Sequence, residues 1–257
     1  MSWDTIRLDR DGGVTTLTVD RPDRLNALNV ETLDAMEEAL DEAADERTRV
    51  LVLAGAGDDA FIAGADIGHM TDLTVPEAQA YAELGHRIAR TLETFPAPTI
   101  AAIDGYAFGG GCELALACDF RIASEDALLG QTEVDLGIAP GWGGTQRLPR
   151  LVDDETARRL ILLGERIDGR EAAEVGFVGE AVPDGEVHDW VAELADALAS
   201  QPRHAVVAAK EAINQVYEAP LSAGLAHERR MWSGLFGTHD QREGMTAFLE
   251  DREPEFE

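Results

Sequence analysis

With 257 residues, 45% of them hydrophobic, the chain is long enough to bury one sizeable core or a core with an appendage. Fifty acidic residues against 21 basic ones give a formal net charge of −29, which opposes binding to a phosphate backbone and excludes a nucleic-acid partner. No apolar run is long enough to cross a bilayer and the first residues carry no signal-peptide pattern, so a cytoplasmic protein without a membrane partner is expected.

Val14–Val19 reads as the first strand and residues 50–53 as the second. Between them Val30, Leu33, Met36 and Leu40 recur at helical spacing behind a cap at Asn29, while Glu37, Glu38, Asp41 and Glu42 form an acidic solvent face. The segment 61–70, FIAGADIGHM, follows the second strand, and its small residues Ala63, Gly64 and Ala65 let a ligand approach the main chain. Thr74 with Pro76 opens a long helix whose apolar face includes Tyr81, Leu84, Ile88, Leu92 and Phe95. Thr99–Ile103 then reads as a strand that feeds three consecutive glycines, Gly109 to Gly111, and a short apolar helix with Glu113 in its first turn. Unpaired N–H groups and the positive end of the helix dipole at such a point stabilise an oxygen that gains negative charge. A strand-like segment, 120–123, leads on to a second carboxylate, Glu133, in a GQTE stretch. From Asp153 onward the pattern is mostly helical, and past Pro202 no strand is expected.

Cys112 and Cys118 lie six apart on one helix, about 240° around it, so they cannot pair, and Cys112 reads as a buried small side chain. No cysteine or histidine spacing supports a metal site. GxGxxG and GxxxxGK[ST] spacings are both absent, so the glycines are not a nucleotide fingerprint. The chain has one lysine, Lys210, and its acidity runs along its whole length, a composition similar to that of proteins from organisms that keep molar salt in the cytoplasm.

The segments RPDRLNALN (21–29), FIAGADI (61–67), GYAFGGGCELALACD (105–119), GQTEVDLGIAPGWGGTQRL (130–148) and REGMTAFLEDR (242–252) occur in an order that resembles the crotonase (enoyl-CoA hydratase/isomerase) superfamily. That resemblance implies an α/β fold, a crotonase-like spiral of β-β-α units over residues 1–199. A C-terminal helical region, 200–257, would join subunits as a trimer or a dimer of trimers. It also implies an acyl-CoA thioester substrate, with coenzyme A entering as part of the substrate and no separate cofactor. The thioester carbonyl would be held by the main-chain N–H groups of Ala65 and Gly110. Glu113 and Glu133 match the two glutamates of the superfamily's hydratases, with Glu113 activating water and Glu133 delivering a proton to a trans-2-enoyl thioester to give the 3-hydroxyacyl product. Substrate contacts would come from Asn26, Ala27 and Leu28 near the adenine, and from Ala63, Gly64, Asp66, Ile67 and Gly68 along the CoA. Gly109 would also contact the substrate, and the loop of Pro140, Gly141 and Trp142 would close the acyl pocket over Glu133. Asp66 is equally a cap for the turn after Ala65. Trp142 is bulkier than the residue many hydratases carry there, which points to short acyl chains. Asp251 stands where some relatives have a basic residue, leaving Arg24 and Lys210 as candidate phosphate partners. An isomerase that shifts the double bond is the alternative reading. The acidic helix after Asn29 opposes an RNA-binding role, and retention of both glutamates opposes an inactive one.

Overall fold

Strands with continuous apolar runs, such as Val50–Gly55 and Thr99–Ile103, need cover on both faces, and a parallel sheet with crossover helices provides it. The computed structural model describes residues 3–45 and 47–257 and contains such a sheet. Its edge is an antiparallel hairpin, β1 (Ile6–Asp11) with β2 (Val14–Val19). Helix α1 (Val30–Ala43) then carries the chain to β3 (Val50–Gly55), which pairs parallel with β2. Asn29 starts α1 by accepting the Thr32 N–H at 2.9 Å, the cap its position predicts.

From β3 onward each turn of the chain adds one strand to this sheet and one to a second sheet. The pairs are β3 with β4 (Ala60–Ile62), β5 (Thr99–Ile103) with β6 (Tyr106–Phe108), and β7 (Phe120–Ser124) with β8 (Leu128–Gly130). β9 (Arg166–Asp168) and β10 (Glu180–Val182) complete the two sheets, whose orders are β1-β2-β3-β5-β7-β10 and β4-β6-β8-β9. This stepwise addition is the spiral of β-β-α units. Between the turns run the short α2 (Ile67–Met70), the long α3 (Val75–Glu93) and α4 (Gly110–Ala117). Thr74 and Glu77 close a capping box at the start of α3, and Tyr81, Leu84, Ile88 and Leu92 face the core as their spacing predicts. α5 (Gly144–Arg147), α6 (Asp154–Leu162) and α7 (Gly169–Glu174) follow.

Helix α8 (Val187–Ala199) covers the other face of the first sheet, where Val187, Val191 and Ala195 pack with Val50, Val52, Ile100 and Ile122. Two short strands, β9 and β10, interrupt a region expected to be mostly helical. At three residues each they are too short for a period-two pattern to register. Beyond Pro202 the described residues form α9 (Arg203–Asn214), α10 (Leu221–Gly234) and α11 (His239–Glu250), with no strand among them. Among the described residues no helix is long and apolar enough to cross a membrane.

Lys210 does not serve an exposed phosphate site. It is buried on α9, 2.7 Å from Asp119, and donates to the carbonyls of Leu92 and Ala97, so the sole lysine ties the C-terminal helices to the core. Arg24 stays exposed beside Asp23. Asp251 takes a left-handed conformation at the end of α11. Both cysteines are buried free thiols whose burial pushes their ionisation upward, Cys118 to about 12, in keeping with a packing role.

Candidate active site

Three glycines in a row let the turn between β6 and α4 pack against three different neighbours. A Cβ on Gly109 would stand 3.1 Å from Glu133 Oε1, one on Gly110 would lie 2.4 Å from the Trp142 ring, and one on Gly111 would overlap the Ile62 carbonyl at 2.0 Å. The glycines therefore make room for the protein's own groups, and through them for a cavity, instead of for direct ligand contact at all three positions. Gly64, at φ +97°, has its Cβ position 3.0 Å from the Phe108 carbonyl and 3.8 Å from the Gly110 nitrogen. The two glycine-bearing loops expected to cooperate are thus side by side, although 46 positions separate Gly64 from Gly110.

The N–H groups of Ala65 and Gly110 have no acceptor among the described residues. For Ala65 the cause is its parallel bridge to Leu28, in which the neighbours Gly64 and Asp66 make the hydrogen bonds. For Gly110 the cause is its place as the first residue of α4, where no preceding turn exists to accept the bond. Both residues line a cavity of about 580 Å³.

The two carboxylates line the same cavity. Glu113 is 2% exposed, and its Oε1 accepts the Trp142 N–H at 2.8 Å and the Gly144 N–H at 2.7 Å. Burial raises its pKa, while the donated N–H groups act in the opposite sense by favouring the anion. Glu133 has no such support: neither carboxylate oxygen finds a partner among the described residues. Burial first, and the charge of Glu113 second, push its pKa up to about 7. Both carboxyls are thus raised above their ordinary value by burial, but only Glu113 has N–H donors that favour its anion, while Glu133, with none, is suited to carrying a proton near neutral pH.

Of the other residues singled out by sequence, Ala63, Gly64, Ile67, Gly109, Gly141 and Trp142 line the cavity. Asn26, Ala27, Leu28, Asp66, Gly68 and Pro140 do not. Asn26 is fully buried; its amide donates to the Ala56 and Ala60 carbonyls and accepts from the Arg21 N–H, so it fastens two loops together. Leu28 is a core side chain whose carbonyl accepts the Tyr81 hydroxyl, and Ala27 gives its carbonyl to Arg21. These bonds engage the Asn26 amide and the Ala27 and Leu28 carbonyls within the protein. Asp66 caps α2 through the His69 N–H and pairs with Arg21 at 3.2 Å. Burial of Asp66 raises its pKa, but Arg21 and the backbone N–H groups outweigh that and hold it low. Gly68 is exposed on α2, and Pro140 is half-buried in the loop before Gly141.

Several cavity residues were missed by pattern reading. The spacing on α3 assigns Tyr81 to the core, and it also lines the cavity, because a helix at a cavity wall uses the same apolar stripe for both purposes. Leu136 and Ile138, about half exposed on the loop after Glu133, also line it; apolar residues in a loop were the available signal. Arg166, placed over the Phe108 ring at 5.4 Å, is the one cation of the wall among the described residues.

Residues 9–257 match the enoyl-CoA hydratase/isomerase family. The chain is 41% identical over 256 residues to the short-chain-enoyl-CoA hydratase of Clostridium acetobutylicum, covering 99% of this chain and 98% of that one. It is 40% identical to the crotonyl-CoA hydratase of Syntrophomonas wolfei over 100% of this chain and 99% of the relative. The crystal structure of an enoyl-CoA hydratase from Bacillus anthracis superposes with a TM-score of 0.95 at 39% identity, covering 98% of this chain and 99% of that one. Two free backbone donors and two buried carboxylates around one cavity, on a β-β-α spiral that matches these proteins from end to end, place the chain in the enoyl-CoA hydratase/isomerase family.

Proposed function

We propose that the protein is an enoyl-CoA hydratase, which adds water reversibly to a trans-2-enoyl-CoA to give the 3-hydroxyacyl-CoA. The observation that carries this reading is the pairing of an N–H-supported Glu113 with an unsupported Glu133 whose pKa is about 7, beside the free N–H groups of Ala65 and Gly110. In the hydration direction the thioester oxygen takes the Ala65 and Gly110 N–H bonds and gains charge as water attacks the β-carbon. Glu113 accepts the proton of that water, and Glu133 donates one to the α-carbon. Coenzyme A is carried in as part of the substrate.

Incubation of the purified protein with crotonyl-CoA should consume the conjugated thioester absorbance and yield 3-hydroxybutanoyl-CoA. Conversion of a 3-enoyl-CoA to the 2-enoyl isomer without net hydration would point to an isomerase instead. The acyl group is short: Trp142, 4% exposed, stands edge-on to Tyr81 at 5.5 Å in the cavity wall. Crotonyl-CoA should therefore be turned over with a higher kcat/KM than dodecenoyl-CoA, and the reverse order would remove the short-chain assignment.

Residues 200–257 act in this reading as a self-association region appended to a core of residues 1–199, giving a trimer or a dimer of trimers. Support comes from apolar side chains left on the C-terminal helices, among them Leu221, Trp232, Phe248 and Leu249, each at least 64% exposed. The net charge of −29 makes assembly salt-dependent, because repulsion between like subunits fades only when the Debye length falls to about 3 Å near molar salt. Activity and sedimentation coefficient should decline together as KCl is lowered below roughly molar. Full activity and assembly in dilute buffer would overturn the reading of the composition as an adaptation to salt.

A further inference from the structure

Helices α3 and α4 and the loop entering α5 each line two cavities. Ala82, Glu113 and Trp142 face the cavity of about 580 Å³ described above, whereas His86, Leu116 and Gly143, further along the same three elements, face a second cavity of about 640 Å³. Trp142 lines the first cavity, and its chain neighbour Gly143 lines the second. The Trp142 indole occupies the space that a side chain at Gly110 would need, and on its other side the space of Gly85: a Cβ there would lie 2.2 Å from the ring. Gly85 is the only glycine of α3, at an interior position where glycine weakens a 19-residue helix. The position of that glycine, directly against the ring, accounts for a residue that local propensity disfavours.

We propose that Trp142 seated on Gly85 is the partition that ends the acyl site, so that this pair sets the chain-length limit. Removal of the indole would open the first cavity toward the second, where additional methylenes of a longer chain would meet Leu116, Ala117 and Leu151 in a wall that also carries Arg90, Asp119 and Arg121. The proposal rests on the reading of the first cavity as an acyl-CoA site. It adds which residues bound that site and what lies behind them.

The test measures binding of butanoyl-CoA and decanoyl-CoA, saturated thioesters that cannot be hydrated, to the full-length protein in molar KCl. Wild type, Trp142→Ala, Trp142→Phe and Gly85→Ala are compared, together with the double variant Gly85→Ala/Trp142→Ala. Because each methylene that gains apolar cover is worth about fourfold in affinity, the decanoyl to butanoyl affinity ratio should rise at least about tenfold in Trp142→Ala and by less in Trp142→Phe. Gly85→Ala should lower Tm in the wild-type background and raise it when Trp142 is Ala, since only the indole makes the new methyl unwelcome. An unchanged affinity ratio in folded Trp142 variants overturns the partition while leaving the acyl-CoA reading intact. So does a Gly85→Ala effect on Tm of the same sign in both backgrounds. Failure of wild type to bind either thioester overturns the acyl-CoA reading, and the proposal with it.

Discussion

Glu133→Gln is expected to lower kcat for crotonyl-CoA hydration by about 10² to 10⁴, the usual worth of a positioned general acid or base. An amide cannot release the proton that the α-carbon needs. Glu113→Gln should cost a similar factor for a different reason: the amide oxygen can still accept the Trp142 and Gly144 N–H bonds, so the loop survives, but no base remains to activate water. A near-wild-type rate in either variant removes that residue from the mechanism. In the wild type, kcat/KM for hydration should fall as pH rises through about 7, where Glu133 loses the proton it must donate. The dehydration direction should fall on the same limb, because hydration consumes no net proton and the ratio of the two kcat/KM values is a pH-independent equilibrium constant.

Stability carries the same signature. Glu133 binds its proton more tightly folded than unfolded, so its contribution is fully present below pH 4.5, its ordinary value, and is lost as pH rises through about 7. A shift of this size corresponds to about 3 kcal/mol. The Tm advantage of Glu133→Gln over wild type should therefore be larger at pH 8.5 than at pH 5.5, measured by thermal unfolding at constant KCl. A variant that trades activity for stability in this pH-dependent way identifies the carboxyl as a group buried for chemistry.

Loss of the Gly110 N–H is expected to reduce kcat by about 10² to 10³, as for one oxyanion donor. Gly110→Val or Gly110→Pro alone would inactivate the protein partly by steric conflict, because any Cβ at this position meets the Trp142 ring at 2.4 Å. The cleaner comparison is made in a Trp142→Ala background, where Gly110→Ala keeps the N–H and Gly110→Pro lacks it. Proline is tolerated at the first position of a helix, so α4 itself should persist. Equal rates for the two double variants would show that Gly110 supplies no hydrogen bond to the reacting oxygen. Circular dichroism of both variants checks that the helix is retained.

Much of this site was legible in the amino-acid sequence because its signals are local. The triple glycine followed by a short apolar helix announces free N–H groups, and Glu113 follows within one turn. Asn29 and the Thr74–Pro76 start were visible as caps, and the helices they open are present. Less legible were side chains whose partners are distant in sequence. Asn26 has the polar appearance of a ligand contact, yet its amide is consumed by carbonyls 30 and 34 positions away. Lys210 has the appearance of a solvated cation, but Asp119 and two carbonyls more than 100 positions distant bury it. Gly85 gave no signal, since its reason for being glycine is a ring 57 positions later in the chain.

By itself the sequence determined the α/β class, the order of the principal strands and helices, the two glutamates and the two glycine-bearing loops, since periodicity, caps and glycine placement act over a few residues. Only the tertiary structure decided that Glu113 is held by two N–H groups while Glu133 has no partner among the described residues, and hence that two identical side chains differ in the support their anions receive. The physical reason is that desolvation and hydrogen bonding are properties of a place in the fold, assembled here from segments tens of residues apart.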